Sequence, residues 1–325
     1  MVITITLFVL GFALLIKGAD ILVKGASSIA KTFGWSDLVI GLTIVSFGTS
    51  MPELIVNIMA SIEGSAGIAV GNILGSNISN ILLIIGISAI IYPLPLKNST
   101  VFSEIPFSIA AILLVGFLVN SELPFDTVEH ELSFWDGILL LLFFLLFMAY
   151  IFKLSKAKDN TITTDDIIRY STNKSILYIV LGCLGLFFGG KWIVDGAIVF
   201  AKMYGLSESF IGLTIVAVGT SLPELATSAV AAYRKNTDIA IGNVVGSNIF
   251  NLLWILGISS LIKPLPFAPE NNTDILTVLL ASSFLIIALV IGKKNHIDRW
   301  NGMFFIITYA MYITCLLYTS PSPRD

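Results

Sequence analysis

The phrase Gly41-Leu-Thr-Ile-Val-Ser-Phe-Gly-Thr-Ser-Met-Pro-Glu53 recurs as Gly212-Leu-Thr-Ile-Val-Ala-Val-Gly-Thr-Ser-Leu-Pro-Glu224, so one carboxylate stands twice inside long apolar runs. An ionisable group within a bilayer is costly and therefore marks a functional site. Its repetition in the same local sequence rules out accident. The surroundings are those of a membrane protein: of 325 residues 56% are hydrophobic and 12% charged, with a mean hydropathy of +0.94. Those values lie outside the soluble range. The net charge of −3 gives no reason to expect nucleic acid as a partner.

A spanning helix needs roughly 20 mostly apolar residues. Ten segments qualify: Val2 to Phe33, Asp37 to Ile62, Gly67 to Tyr92, Val101 to Val119, Phe134 to Phe152, Ser175 to Met203, Ser209 to Tyr233, Ile239 to Ile262, Ile275 to Ile291 and Trp300 to Leu317. The first and sixth are long enough to imply tilt or a bend. The amino-terminal stretch lacks a basic leader and a cleavage site, so it is read as a retained first span.

Glu224 minus Glu53 gives an offset of 171, which also carries Asn72 to Asn243, Ser76 to Ser247, Asn80 to Asn251 and Pro93 to Pro264. From Gly41 to Pro95 roughly 30 of about 55 positions match their partners, the mark of an internally repeated transporter. The expected fold is all-α, ten transmembrane helices in two five-helix repeats. Five is odd, so the repeats must be inverted. The domains are then residues 1–152 as the first repeat, 153–174 as a cytoplasmic linker and 175–314 as the second repeat. Placing the amino terminus outside puts Lys31, Lys97, Lys153, Lys156, Lys158, Arg169, Lys174, Arg234, Lys235, Lys293, Lys294 and Arg299 in cytoplasmic connections, and chiefly Lys202 and Lys263 outside. The positive-inside rule favours that orientation. The loop from Asn120 to Ser133 is acidic and then external. Residues 315–325 resemble the translation of a transposase adapter used in sequencing libraries and are read as a non-native tail.

Pro52 has no N–H to give to the Gly48 carbonyl, and Pro223 none for Gly219, so the second and seventh helices are expected to open there. Freed carbonyls at membrane depth need a protein or watery cavity around them. Around the breaks stand Thr49, Ser50 and Glu53, and Thr220, Ser221 and Glu224. Ser76 with Asn80, and Ser247 with Asn251, are spaced i, i+4 and share a helix face. An oxygen-only set selects hard cations, Na⁺, Ca²⁺ or Mg²⁺, with Mg²⁺ disfavoured because it dehydrates reluctantly. Gly71, Gly75, Gly242 and Gly246 are read as packing positions. Asp20 with Lys24, and Lys191 with Asp195, are i, i+4 pairs read first as structural pairing or snorkelling near a membrane surface, with a gating role as the second alternative. Cys183 is expected to be a buried free thiol.

The two signatures, Gly-Thr-Ser-x-Pro-Glu and Gly-Asn-x-x-Gly-Ser-Asn-Ile, each occur twice, and with them nearly the whole chain resembles the sodium/calcium exchanger family of the calcium/cation antiporters, prokaryotic type. The resemblance implies a core of the second, third, seventh and eighth helices, with the first and sixth sliding against it. It makes Glu53 and Glu224 shared Ca²⁺ ligands, aided by backbone oxygens of Thr49 and Thr220. It assigns Na⁺ sites to Ser50, Ser76 and the carbonyl of Ser46, and to Ser221, Ser247 and the carbonyl of Ala217. The middle position falls between Asn80 and Asn251, where some relatives carry Asp in place of Asn251.

The function so implied is secondary active exchange of Na⁺ for Ca²⁺ by alternating access, the two ions competing for Glu53 and Glu224, in a prokaryotic inner membrane. No cofactor is expected; Ca²⁺, Na⁺ and the bilayer are the partners. The alternatives are proton-coupled or K⁺-dependent Ca²⁺ exchange and, from another class, a cation channel. An enzyme is disfavoured. There is no His-Glu-x-x-His and no Gly-x-Ser-x-Gly, and His130 and His296 are read as loop residues.

Overall fold

Hydrocarbon cannot hydrogen-bond to a backbone, so a chain this apolar must satisfy its polar backbone groups within helices. The computed structural model describes residues 2–63, 66–98, 100–120, 130–156, 169–203, 217–291 and 295–319. Seven of its helices are long and apolar enough to cross a membrane: α1 (Val2–Phe33), α4 (Val70–Ile91), α5 (Thr100–Asn120), α6 (Phe134–Lys156), α7 (Thr172–Met203), α10 (Thr237–Ile262) and α11 (Pro269–Val290). A bent pair, α2 (Asp37–Thr49) and α3 (Met51–Glu63), makes an eighth span. Segments α8 (Ala217–Thr220) and α9 (Leu222–Tyr233), with α12 (Arg299–Thr319), are the other helices named here among the described residues. The expected seventh segment begins within 204–216, outside the described residues, as do 121–129 of the acidic loop and 157–168 of the linker.

The helices sort by burial. In the apolar windows of α10 and α4, 94% and 78% of residues are buried, against 28% in α1 and α6 and 33% in α7. The two most buried helices carry the Ser and Asn faces. On α6 the large side chains of Leu142, Leu145, Leu146 and Phe152 are exposed, as suits residues bathed in lipid.

Small residues set the packing of α1 against α7. Gly11, Gly18 and Gly25 recur every seven residues, and the 171 offset carries them to Gly182, Gly189 and Gly196. A Cβ on Gly18 would meet the Leu186 backbone nitrogen at 2.8 Å, and one on Gly189 the Leu15 nitrogen at 2.7 Å. Only glycine permits so close an antiparallel approach. Both helices run unbroken for 32 residues, about 48 Å at 1.5 Å per residue, well beyond the roughly 30 Å hydrocarbon core. Gly242 abuts Gly41, its added Cβ 3.0 Å from the Gly41 Cα, and Gly246 abuts Ser46; Gly71 and Gly75 meet nothing within 4 Å among the described residues. The packing role expected of these four glycines is seen for the second pair; the positions that the 171 offset places against Gly71 and Gly75 fall at 212–217, where the backbone of 212–216 and the side chain of 217 lie outside the described residues. Cys183 is a free thiol and half-buried, its sulfur packed close against Gly48.

One end of the molecule is tied together near the linker. Ser28 of α1 accepts from the Tyr170 N–H at 2.9 Å, and Asn236 donates to Ser27 at 3.1 Å and to Asp37 at 2.9 Å. Lys97 pairs with Asp238 at 3.0 Å. Arg234 donates through Nε to Asp20 Oδ1 at 2.8 Å and also through Nη2, while Lys24 holds Asp20 Oδ2 at 2.8 Å. Lys191 and Asp195, by contrast, are 3.5 Å apart and each 57% exposed.

Two two-residue antiparallel sheets staple the helix ends. In one, β1 (Leu94–Pro95) pairs with β4 (His296–Ile297), Leu94 opposite Ile297; in the other, β2 (Glu131–Leu132) pairs with β3 (Leu265–Pro266), Leu132 opposite Leu265. The 171 offset turns Leu94-Pro95 into Leu265-Pro266, so a related strand serves each sheet. His296, expected in a loop, lies in β4 because this pairing extends it.

Candidate ion-binding site

Proline fixes where the site opens. Helix α2 stops at Thr49, Ser50 turns at φ −84°, ψ 7°, and α3 starts at Met51 with Pro52 behind it. The two axes differ by 46°. In the second copy Ser221 turns at φ −86°, ψ 3° between α8 and α9, with Pro223 in the first turn of α9. Each break leaves Thr and Ser at one helix end and places Glu53 or Glu224 in the first turn of the next helix. A helix amino terminus is where a negative charge is best tolerated.

From α4 and α10 come the amides. Asn80 opens a π-turn, Asn80–Ile84, and Asn251 lies in another, Phe250–Ile255. Such turns gather at functional sites because they shift side chains out of the regular helical register.

Glu53 and Glu224 are wholly buried. Glu224 Oε1 accepts from Ser50 Oγ at 2.9 Å and from Ser247 Oγ at 3.5 Å. Thr49 Oγ1 donates to Asn243 Oδ1 at 2.9 Å and lies 3.5 Å from Ser247 Oγ. Ser221 Oγ donates to Ser76 Oγ at 3.2 Å, and Asn251 Nδ2 donates to the same oxygen at 3.2 Å. One polar centre therefore joins the two breaks to α4 and α10.

Both Glu53 oxygens, Glu224 Oε2, Asn80 Oδ1 and Asn251 Oδ1 are buried with no hydrogen-bond partner among the described residues. A lone unsatisfied buried polar group costs about 1–3 kcal/mol, and a charged one more. Proteins retain few of these without a reason. Here every one is an acceptor oxygen, and Glu224 is the neighbouring charge that repels Glu53. A hard cation answers both problems at once, supplying positive charge and taking oxygen ligands. The described residues contain no group of three or more His, Cys, Asp or Glu able to hold a metal. Neutral hydroxyls and amides make up the rest of the set.

The profile described as "Sodium/calcium exchanger protein" matches residues 3–153 and 174–318. The chain belongs to the sodium/calcium exchanger family. Among its relatives, the sodium/calcium exchanger MaX1 of Methanosarcina acetivorans is 35% identical over 326 aligned positions, covering 90% of this chain and 92% of that one. The inner membrane protein YrbG of Escherichia coli is 33% identical and covers 99% of each. A solved structure of the sodium-calcium exchanger NCX_Mj, soaked with 10 mM Na⁺ and zero Ca²⁺, superposes with a TM-score of 0.83 at 32% identity, covering 97% of this chain and 100% of that one. The protein is thus an integral membrane member of a transporter family.

Within this exchanger the residues expected at the site are largely brought together. Ser46, Thr49, Ser50, Glu53, Ser76, Asn80, Ser221, Glu224, Ser247 and Asn251 are all buried. Thr220 is half-buried and donates to Asn72 Oδ1 at 3.4 Å. The Ser46 carbonyl accepts from the Ser50 N–H at 2.9 Å and from Thr49 Oγ1 at 3.2 Å, so an ion there would share it. Ala217 is the first described residue of α8, and its side chain lies outside the described residues. Sequence reasoning passed over Asn57, Asn77, Asn243 and Asn248, which hold the site residues in place. Three of these four asparagines stand inside the repeated Gly-Asn-x-x-Gly-Ser-Asn-Ile signature, and that was the available signal. It also paired Asp20 with Lys24 alone and missed Arg234, since a partner 214 residues away leaves no local trace.

Proposed function

We propose that this exchanger moves Na⁺ and Ca²⁺ in opposite directions through one shared site built on Glu53 and Glu224. The observation that carries the reading is the set of buried acceptor oxygens on Glu53, Glu224, Asn80 and Asn251 that find no hydrogen-bond partner among the described residues. Ca²⁺ and a full complement of Na⁺ cannot occupy two carboxylates together, so each ion excludes the other and their movements are coupled. A site without cations leaves repelling carboxylates in a dry interior, which disfavours return without cargo. Thr49 and Thr220 lend backbone oxygens to Ca²⁺. Ser50, Ser76 and the Ser46 carbonyl, and Ser221, Ser247 and the Ala217 carbonyl, hold Na⁺ on the two sides. NCX_Mj, of similar fold, has been studied with Na⁺, Ca²⁺ and Sr²⁺.

The architecture in this reading is ten spans in two inverted halves, residues 1–152 and 175–314, joined by a cytoplasmic linker, with 315–325 a non-native tail. The amino terminus is outside. Support comes from the antiparallel run of α1 and α7 along their paired glycines and from the sheets, each of which joins strands from the two halves.

Alternating access is supported by the unequal ion pairs of α1 and α7, Asp20–Lys24 at 2.8 Å and Lys191–Asp195 at 3.5 Å. Asp20, Lys24 and Arg234 interlock near the linker, tying α1 to the end of α9. The 171 offset carries those residues to Lys191, Asp195 and Glu63, the same three positions with every charge reversed. The first cluster closes the linker side, and the second does the same for the far side in the opposite state.

Vesicles containing the purified protein supply the test, with isotopic Ca²⁺ uptake followed under Na⁺, K⁺ and H⁺ gradients in turn. Uptake driven by the Na⁺ gradient alone is expected. Uptake that needs K⁺, or follows the pH gradient without Na⁺, replaces this reading with its nearest rivals; single openings that pass thousands of ions replace it with a channel.

A further inference from the structure

Asn77 and Asn248 are buried, with 0% and 2% of their surface exposed, and belong to no ion site in the reading above. Each stands three residues before a proposed ligand, Asn80 or Asn251, and so near it on the same helix. Neither bonds to that neighbour. The bonds cross between halves instead: Asn80 Nδ2 donates to Asn248 Oδ1 at 2.9 Å, and Asn251 Nδ2 donates to Asn77 Oδ1 at 3.0 Å. Asn77 Nδ2 in turn donates to the Asn248 carbonyl at 3.3 Å, which fixes which way its own amide points.

An asparagine amide carries an acceptor on one side and two donors on the other. With the Nδ2 atoms of Asn80 and Asn251 drawn across the interface, their Oδ1 atoms are left without partners among the described residues. If either amide turned over, two acceptor oxygens would face each other and an N–H would point where the cation must bind. That costs a buried hydrogen bond and creates a repulsion at once. We propose that Asn77 and Asn248 are positioning residues that hold the Asn251 and Asn80 amides with oxygen toward the ion. Because each brace comes from the opposite half, ligand orientation depends on the register of α4 against α10.

The inference rests on the ion site proposed above, and the measurement separates the two. Ca²⁺ alone is titrated into purified protein in Na⁺-free buffer, for wild type, N248L, N80A and the double variant, and likewise for N77L, N251A and their double. Leucine fills the volume and removes the acceptor. N248L is expected to raise the apparent Kd for Ca²⁺ roughly tenfold, and N248D, which keeps an acceptor in the same place, to recover most of the loss. In the N80A background N248L should change the Kd no further, and N77L should be silent only in the N251A background. Should N248L fail to give a monodisperse protein, the N77L and N251A set decides. Multiplying effects within the crossed pairs, or unchanged Kd values in both leucine variants, overturn the brace while leaving the ion site standing. A wild type that binds no Ca²⁺ overturns both.

Discussion

Glu53 and Glu224 occupy the same place in two copies of one phrase, yet their surroundings differ. Glu224 is held by Ser50 and Ser247, whereas Glu53 has no partner for either oxygen among the described residues. The threonines differ in the same sense. Thr49 reaches Asn243 at 2.9 Å, while Thr220 reaches Asn72 at 3.4 Å. One cause is visible in the chain. Asn243 donates to Ser228 at 2.9 Å, but the residue in that place in the first copy is Asn57, whose amide donates to the Glu53 carbonyl at 2.9 Å. Asn72 Nδ2 is then buried without an acceptor among the described residues. The lesson is that a duplicated sequence need not give duplicated contacts.

The largest effect should come from removing either carboxylate. Glu53→Gln and Glu224→Gln are each expected to cut Na⁺-driven Ca²⁺ flux by at least about 100-fold, since a buried charge network loses roughly 3 kcal/mol or more when one member goes. The comparison sharpens in ion-free buffer. There Glu53→Gln relieves an unpartnered charge and should raise the melting temperature by on the order of a few degrees, and Glu224→Gln should raise it less. Equal shifts would erase the distinction between the two halves.

Next in size is the glycine seam. Gly18→Leu puts a side chain where the Leu186 backbone already stands, at a cost of about 1–3 kcal/mol. Thermal unfolding in detergent is the check, and the same change at Gly34, where a Cβ would meet nothing within 4 Å, is not a substitute because its φ of 69° strains any side chain. A smaller effect is expected from Asp20→Asn, which loosens the cluster with Lys24 and Arg234. Labelling of a cysteine placed at Ser27, in a Cys183→Ala and Cys315→Ala background, should rise two- to five-fold, the scale of about 0.5–1 kcal/mol for a partly exposed ion pair. Asp195→Asn should leave that labelling unchanged. Smallest is the threonine pair: Thr49→Val should weaken Ca²⁺ affinity by up to about fivefold, and Thr220→Val by less.

Much of this was legible in the chain. Apolar segment length marks the seven long helices and the bent pair α2–α3, and Pro52 and Pro223 give the breaks, which fall at Ser50 and Ser221. The oxygen set around Glu53 and Glu224 follows from repetition alone, because nothing but function keeps a carboxylate twice in such surroundings. The contacts that orient those oxygens were not legible. Asn248 belongs to Asn80 and Asn77 to Asn251 only after two copies have been folded face to face, and no spacing within one copy encodes a bond to the other. The π-turns at Asn80 and Phe250 were hidden for a related reason: their sequences are ordinary apolar helix, and packing decides the extra residue per turn.

The central claim is that Ca²⁺ and Na⁺ compete for the oxygens around Glu53 and Glu224. Calorimetric titration of Ca²⁺ into the wild type at increasing Na⁺, repeated with Glu53→Gln, tests it most directly. The account predicts an apparent Kd that climbs steadily with Na⁺ and a variant that no longer binds Ca²⁺ in the same range. Ca²⁺ binding indifferent to Na⁺, or preserved in Glu53→Gln, would contradict it.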